Sequence, residues 1–126
     1  VPSDEISSYL AVADAAVSFI KPCYSKQASS PTKNAEYLAC GLPIIANDGV
    51  GDTTSQITED RTGVIIREFN TSSYNQALDK LDELLLDRSG LASRCRESAI
   101  RRFDLENVGG KAYRRLYLNL LEGKHE

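Results

Sequence analysis

The sequence predicts an α/β domain built on a parallel sheet. Three short apolar runs, AAVSFI (15–20), LPIIAN (42–47) and GVIIREF (63–69), have strand length and little room for solvent-facing polar residues. Segments of helical periodicity separate them, and strands alternating with helices imply right-handed crossovers between parallel neighbours. Glycine and proline punctuate nearly every change of period.

The elements follow in order. Ser3 caps a first helix with Asp4 and Glu5 in its first turn, where acids oppose the helix dipole, and Ile6, Tyr9, Leu10 and Ala13 share a face until about Asp14. AAVSFI is a strand covered on both faces and closed by Pro22. CYSKQASS is a loop. Ser30 and Pro31 then read as N-cap and first residue of a helix over TKNAEYLAC, with Gly41 and Pro43 as its stop signals. LPIIAN is the second strand, and DGVGD turns into a short helix over TTSQIT capped by Asp52. After the third strand, Ser72 or Ser73 caps an amphipathic helix with Tyr74, Ala77, Leu78, Leu81, Leu84 and Leu85 on one stripe, ended by Gly90. Two more helices follow. The first carries Leu91, Cys95, Ala99 and Phe103; the second is capped by Asp104, carries Leu105, Val108, Ala112, Leu116, Leu120 and Leu121, and is weakened by Gly109 and Gly110.

Charge and composition narrow the function. The 126 residues carry 15 basic and 18 acidic side chains, a net charge of -3, which leaves nucleic acid out of the expected partners. No run approaches the length of a membrane-spanning helix, and VPSDEISSYL lacks the pattern of a signal peptide. Cys23, Cys40 and Cys95 match no metal-binding spacing and only His125 could add an imidazole, so no metal is expected and a reducing, cytoplasmic setting is the simplest reading. The chain begins with Val, which reads as a piece processed or cut from something longer.

In an open α/β sheet, ligands bind beyond the carboxyl ends of the strands. Here that edge is polar. After the first strand it presents Lys21, Tyr24, Ser25, Lys26, Gln27, Ser29, Ser30, Thr32 and Lys33, leading to a helix N-terminus that suits an anion; after the second it presents Asn47, Asp48, Gly49, Gly51 and Asp52. A phosphorylated small molecule is the expected ligand. The plainer readings are that Ser30 only caps a helix, that Lys33 only pairs with Glu36, and that GVGD is only a turn. Neither a P-loop nor a dinucleotide fingerprint occurs.

The run SSPTKNAEYLACGLPIIAN (29–47) is more specific. With Glu36, Ala39, Gly41, Pro43 and Ile45 it resembles the donor-binding motif of group 1 glycosyltransferases of the GT-B fold, Tyr37 standing where Ala is usual. Asp14, Pro22 and Gly63 match the surrounding pattern in order. The resemblance implies a Rossmann-like sheet, here a partial one of about three strands where such a domain has about six, and a single domain over 1–126 that is the carboxyl-terminal, nucleotide-sugar-binding half of the enzyme. It implies that Glu36 binds the ribose hydroxyls, that a nucleotide-diphosphate sugar is substrate with no metal or other cofactor, and that a retaining transfer serves polysaccharide, lipopolysaccharide or glycoconjugate synthesis. The sugar or lipid-linked acceptor would sit on an amino-terminal domain outside this chain, and this chain alone would not turn over.

Two departures stand out. The family's second acid, eight residues before that Glu, is Ala28 here, and the loop from Pro22 to Glu36 is two residues longer than the common pattern. The catalytic residues therefore stay open, and a nucleotide-sugar epimerase or a non-catalytic nucleotide-binding relative is the alternative. A receiver-like domain is disfavoured because Lys-Pro-Cys, with no acid, follows Ile20. Arg94, Arg96, Arg101, Arg102, Lys111, Arg114 and Arg115 read as a solvated face, or else as a peripheral contact with an anionic membrane. Tyr113 and Tyr117 could instead meet the amino-terminal domain. The open edge of AAVSFI invites dimerisation.

Overall fold

The computed structural model describes Pro2 and residues 4–123. Helix α1 (Ile6–Leu10) leads into β1 (Ala16–Ser18), α2 (Thr32–Ala39), β2 (Ile44–Asn47), α3 (Thr53–Asp60) and β3 (Gly63–Ile66); α4 (Thr71–Leu85), α5 (Arg88–Phe103) and α6 (Lys111–Leu121) complete the chain. The three strands form one parallel sheet in the order β1-β2-β3, with Ala16 opposite Ile44 and Ile44 opposite Gly63. This is the α/β arrangement that the alternating pattern predicts, and the Rossmann-like one that the resemblance implies.

Side chains of β2 alternate between two cores, which is why all four of its residues are buried. Ile44 and Ala46 pack with Leu38 of α2, Ile57 of α3, and Leu91, Cys95 and Ala99 of α5. Ile45 faces the other way, joining Val64, Ile66, Ala77 and Leu81 beneath α4. Burial lifts the Cys95 thiol to about 11, so this cysteine packs as a small hydrophobe.

Several boundaries differ from the sequence reading, each for a local reason. The expected Ser3 cap and His125 lie outside the described residues. Glu5 occupies the N-cap position of α1, so the two acids precede the helix rather than fill its first turn, and the helix stops at Leu10. The first strand ends at Ser18 because the Asn47 side chain, not a ladder partner, takes the backbone groups of Ile20. Nor is that strand covered on both faces: α4 lies over β3 and leaves Val17 56% exposed. Among the described residues β1 pairs with β2 alone, so its outer edge is open.

Pro31, with ψ 112, takes the N-cap position of α2 in place of Ser30, and no side chain caps that end. Asp52 occupies the N-cap position of α3 without a side-chain bond. Asn70, rather than Ser72 or Ser73, caps α4, its Oδ1 accepting from the Ser73 N–H at 2.8 Å. Gly90 does not end α4. It lies in the first turn of α5 and donates its N–H to Asp87 Oδ1 at 3.0 Å. Asp104 does cap the final segment, but the stretch holding Gly109 and Gly110 forms a wider π-helical turn, Leu105–Gly110, before α6 begins. No residue of α6 is buried, so among the described residues nothing covers its apolar stripe.

Candidate functional site

The carboxyl ends of β1 and β2 open into two loops, and hydrogen bonds lock these loops together. Asn47, only 2% exposed, accepts the Ile20 N–H at 2.7 Å and donates to the Ile20 carbonyl at 2.8 Å and the Asp48 carbonyl at 2.9 Å. Its carboxamide carries an acceptor oxygen and a donor nitrogen side by side, so one planar group meets both the N–H and the carbonyl of the same facing residue. The sequence places Asn47 at the end of the second strand and the start of the ligand-facing loop, without the clamp on Ile20. The available signal was a polar residue closing an otherwise apolar run.

Farther out, the loop after β1 makes a single 3-10 turn at Tyr24–Lys26. The Lys26 carbonyl then accepts from two N–H groups, Ser29 at 3.1 Å and Gly51 at 3.0 Å, which ties the two loops edge to edge. Gly51 has φ +48, and a Cβ there would collide with the Ser29 carbonyl, so only glycine allows this approach. Asp48 supports the second loop. Its Oδ1 accepts from Thr54 Oγ1 at 2.7 Å and from the Gly49 N–H at 2.8 Å, and these bonds hold its carboxyl below the usual value.

Between the joined loops lies a cavity of about 370 Å³ lined by Gln27, Ala28, Ser29, Ser30, Gly51 and Asp52. The structure thus brings together five of the residues expected at the site from two separate loops. Lys26 contributes its carbonyl to the joint rather than its ammonium to the lining, and Gly49 rests against Pro22. Thr32, Lys33 and Glu36 lie on the exposed face of α2, next along the chain from the cavity but outside its lining. The N–H groups of Thr32 and Lys33 have no acceptor within their own helix. No ion pair joins Lys33 to Glu36 among the described residues, so the plain surface pairing is not what the structure adopts.

Two buried polar atoms lie beneath this edge without partners: Asn34 Oδ1 in the first turn of α2 and Thr53 Oγ1 at the start of α3. Asn34 was legible as a core position, since it stands four residues before Leu38 on the buried face of its helix. Cys23 is exposed, and its thiol is lowered, chiefly by the Ser25 hydroxyl 3.3 Å away; no imidazole accompanies it among the described residues.

The basic segment of α5 is largely committed within the fold. Arg102 Nε and Nη2 grip Asp60 at 2.7 and 3.0 Å and reach Glu59 at 2.9 Å, while Arg101 pairs with the same Asp60. Arg94 turns toward the Arg61 carbonyl at 3.5 Å. These side chains therefore fasten α5 to α3.

A parallel α/β sheet whose loops meet in a polar cavity at the strands' carboxyl edge defines a Rossmann-like domain. More specifically, residues 1–102 match the family of glycosyl transferases, group 1, and the chain belongs to that family. The match ends beside Arg102, so the π-helical turn and α6 lie beyond it. No curated protein and no solved structure matches this chain.

Proposed function

We propose that this chain is the donor-binding part of a glycosyltransferase that moves a sugar from a nucleotide-diphosphate sugar to an acceptor. The observation that carries the reading is the pair of hydrogen bonds that the Lys26 carbonyl accepts from the Ser29 and Gly51 N–H groups, which joins two loops around one cavity lined by polar residues at the start of α2. Departure of a nucleoside diphosphate leaves positive charge at the anomeric carbon and builds negative charge on phosphate oxygens. Free N–H groups at Thr32 and Lys33, the hydroxyls of Ser29 and Ser30, and the positive end of the helix dipole favour that negative charge without a metal. Glu36, one turn further on, offers a carboxylate that accepts from two vicinal ribose hydroxyls. The acceptor, sugar or lipid-linked, belongs to a facing domain in this reading, with the reaction retaining, cytoplasmic and directed to glycoconjugate or polysaccharide synthesis.

Ala28 supports a second reading. Where group 1 enzymes often place another acid, a methyl group lines the cavity, which fits a relative that binds nucleotide sugar without transferring it, or that epimerises it.

Titrating the protein with UDP, GDP and ADP tests the first reading. One of them should bind, and Glu36→Ala should weaken that affinity at least tenfold, about 1.4 kcal/mol, while inorganic pyrophosphate binds both proteins equally. Equal nucleotide binding by wild type and Glu36→Ala removes the ribose role. In the full-length protein, release of nucleoside diphosphate only when acceptor is present favours transfer over epimerisation.

A further inference from the structure

Strand β3 has two edges, and the fold uses one. The Thr62 carbonyl accepts from the Ile44 N–H at 3.0 Å and the Ile66 carbonyl accepts from the Asp48 N–H at 2.9 Å. Along a parallel strand the groups that bond a given neighbour recur at every second residue. Thr62, Val64 and Ile66 therefore serve β2, and the N–H and C=O of Gly63 and Ile65 point away from it. Among the described residues no fourth strand and no loop bonds that side.

The open edge lies at the floor of a groove. Two adjoining cavities of about 390 and 430 Å³ run along it and share Thr58, Val64 and Lys80. Thr54 and Thr58 of α3 form one wall, and Gln76 and Lys80 of α4 form the other. An exposed strand edge is a template for pairing, and proteins commonly blunt one with proline, lysine or a bulge. The sequence Gly63-Val64-Ile65-Ile66 carries none of these.

We infer that this groove binds an extended, acidic segment of a partner polypeptide, which adds to β3 as a fourth strand. Two observations choose that occupant. Because the edge is recessed between two helices, a second copy of this chain would bring its own α3 and α4 against the same walls, whereas a lone strand fits between them. Charge supplies the sign: among the residues lining the two cavities are Arg61, Arg67 and Lys80 against one acid, Glu83, although the whole chain is net -3. The backbone of the guest bonds Gly63 and Ile65. Its side chains alternate, so an acid at every second position meets Lys80 while the residues between them meet Thr54 and Thr58, which suits small or hydroxylated side chains.

Amide hydrogen exchange by NMR, with two blocked octapeptides as probes, tests this. One alternates threonine with glutamate and the other threonine with lysine, each at millimolar concentration. The glutamate peptide should slow exchange of the Ile65 amide at least tenfold, the lysine peptide should leave it unchanged, and Lys80→Glu, a surface change, should reverse that preference. Ile65→Pro removes an outward N–H without touching the bonds to β2 and should abolish binding, read in that variant from the outward amide of Gly63, whose exchange the glutamate peptide slows only in the parent protein. An Ile65 amide indifferent to the glutamate peptide, an equal response to both peptides, or protection that grows with protein concentration alone would each overturn the proposal.

Discussion

Asn47 holds Ile20 by both of its backbone groups, accepting the N–H at 2.7 Å and donating to the carbonyl at 2.8 Å. This pairing continues the β1–β2 ladder past its last strand residue with a side chain, and it sets where the loop carrying the candidate site begins. Asn47→Ala should lower stability by roughly 1 to 3 kcal/mol, since several polar groups lose their partner at a largely dry position. Asn47→Asp should be worse at neutral pH, because a carboxylate would face the carbonyls of Ile20 and Asp48. That second variant should recover as pH falls and the new acid takes up a proton it can donate. Urea unfolding at pH 7 and pH 4 measures both effects, and an aspartate variant equal to alanine at both pH values would count against the donor role.

Gly51 is the other joint between the loops. Gly51→Ala places a methyl group against the Ser29 carbonyl at a left-handed φ of +48, so the Lys26 carbonyl should lose one of its two donors and the cavity should open. We expect a stability loss of about 1 to 3 kcal/mol and at least a tenfold loss of nucleoside diphosphate affinity. Gly109→Ala is the matched control. A Cβ at Gly109 meets nothing within 4 Å, and alanine there should be neutral or stabilise by about 0.5 to 1 kcal/mol. Unchanged nucleotide binding in Gly51→Ala would separate the cavity from the ligand.

These two residues show what was legible in the sequence and what was not. The three strands and the intervening helices were readable from apolar runs and glycine or proline punctuation, because burial dictates those patterns locally. Asn47 was not readable as a clamp, since its partner stands 27 residues away and nothing in a linear pattern pairs them. Caps were misplaced by one to three residues for the same kind of reason. Ser30, Asn70, Ser72 and Ser73 are all competent cap residues, and the chain path alone decides which of them meets a free N–H. The apolar stripe of α6 was read correctly as a pattern, yet a stripe states only that a surface prefers cover, and in this chain that surface stays exposed.

Gly90 bears on α5 in a way its spacing concealed. Its N–H is bound by the Asp87 carboxylate, and a Cβ would collide with that carboxylate. Gly90→Ala should therefore displace the cap and cost about 1 kcal/mol, despite alanine's better helix propensity. Combining it with Asp87→Ala gives the check by urea unfolding. If the cap is the cause, the double variant is no less stable than Asp87→Ala alone; additive losses would place the strain elsewhere.

The Asp60 cluster makes a prediction about acid. Its carboxyl is held down to about 2, first by the Arg102 hydrogen bonds, with Ser98 and Arg101 assisting, against an ordinary value of 3.8. The side chain is only 6% exposed, so solvent screens it little, whereas Arg101 is 61% exposed and its share is discounted. The unfolded chain takes up this proton near pH 4 and the folded chain only near pH 2. Stability contributed by Asp60 is thus fully present above pH 4 and lost as pH falls through that window, amounting to about 2 kcal/mol. Other carboxylates titrate over the same range, so the informative quantity is the difference between wild type and Asp60→Asn in urea at pH 7, 4, 3 and 2. That difference should shrink steadily below pH 4, because protonation makes the wild-type side chain resemble the variant. Curves that stay parallel to pH 2 would mean that Arg101 and Arg102 do not hold α5 to α3 through charge, and would return both arginines to the set free for an anionic partner.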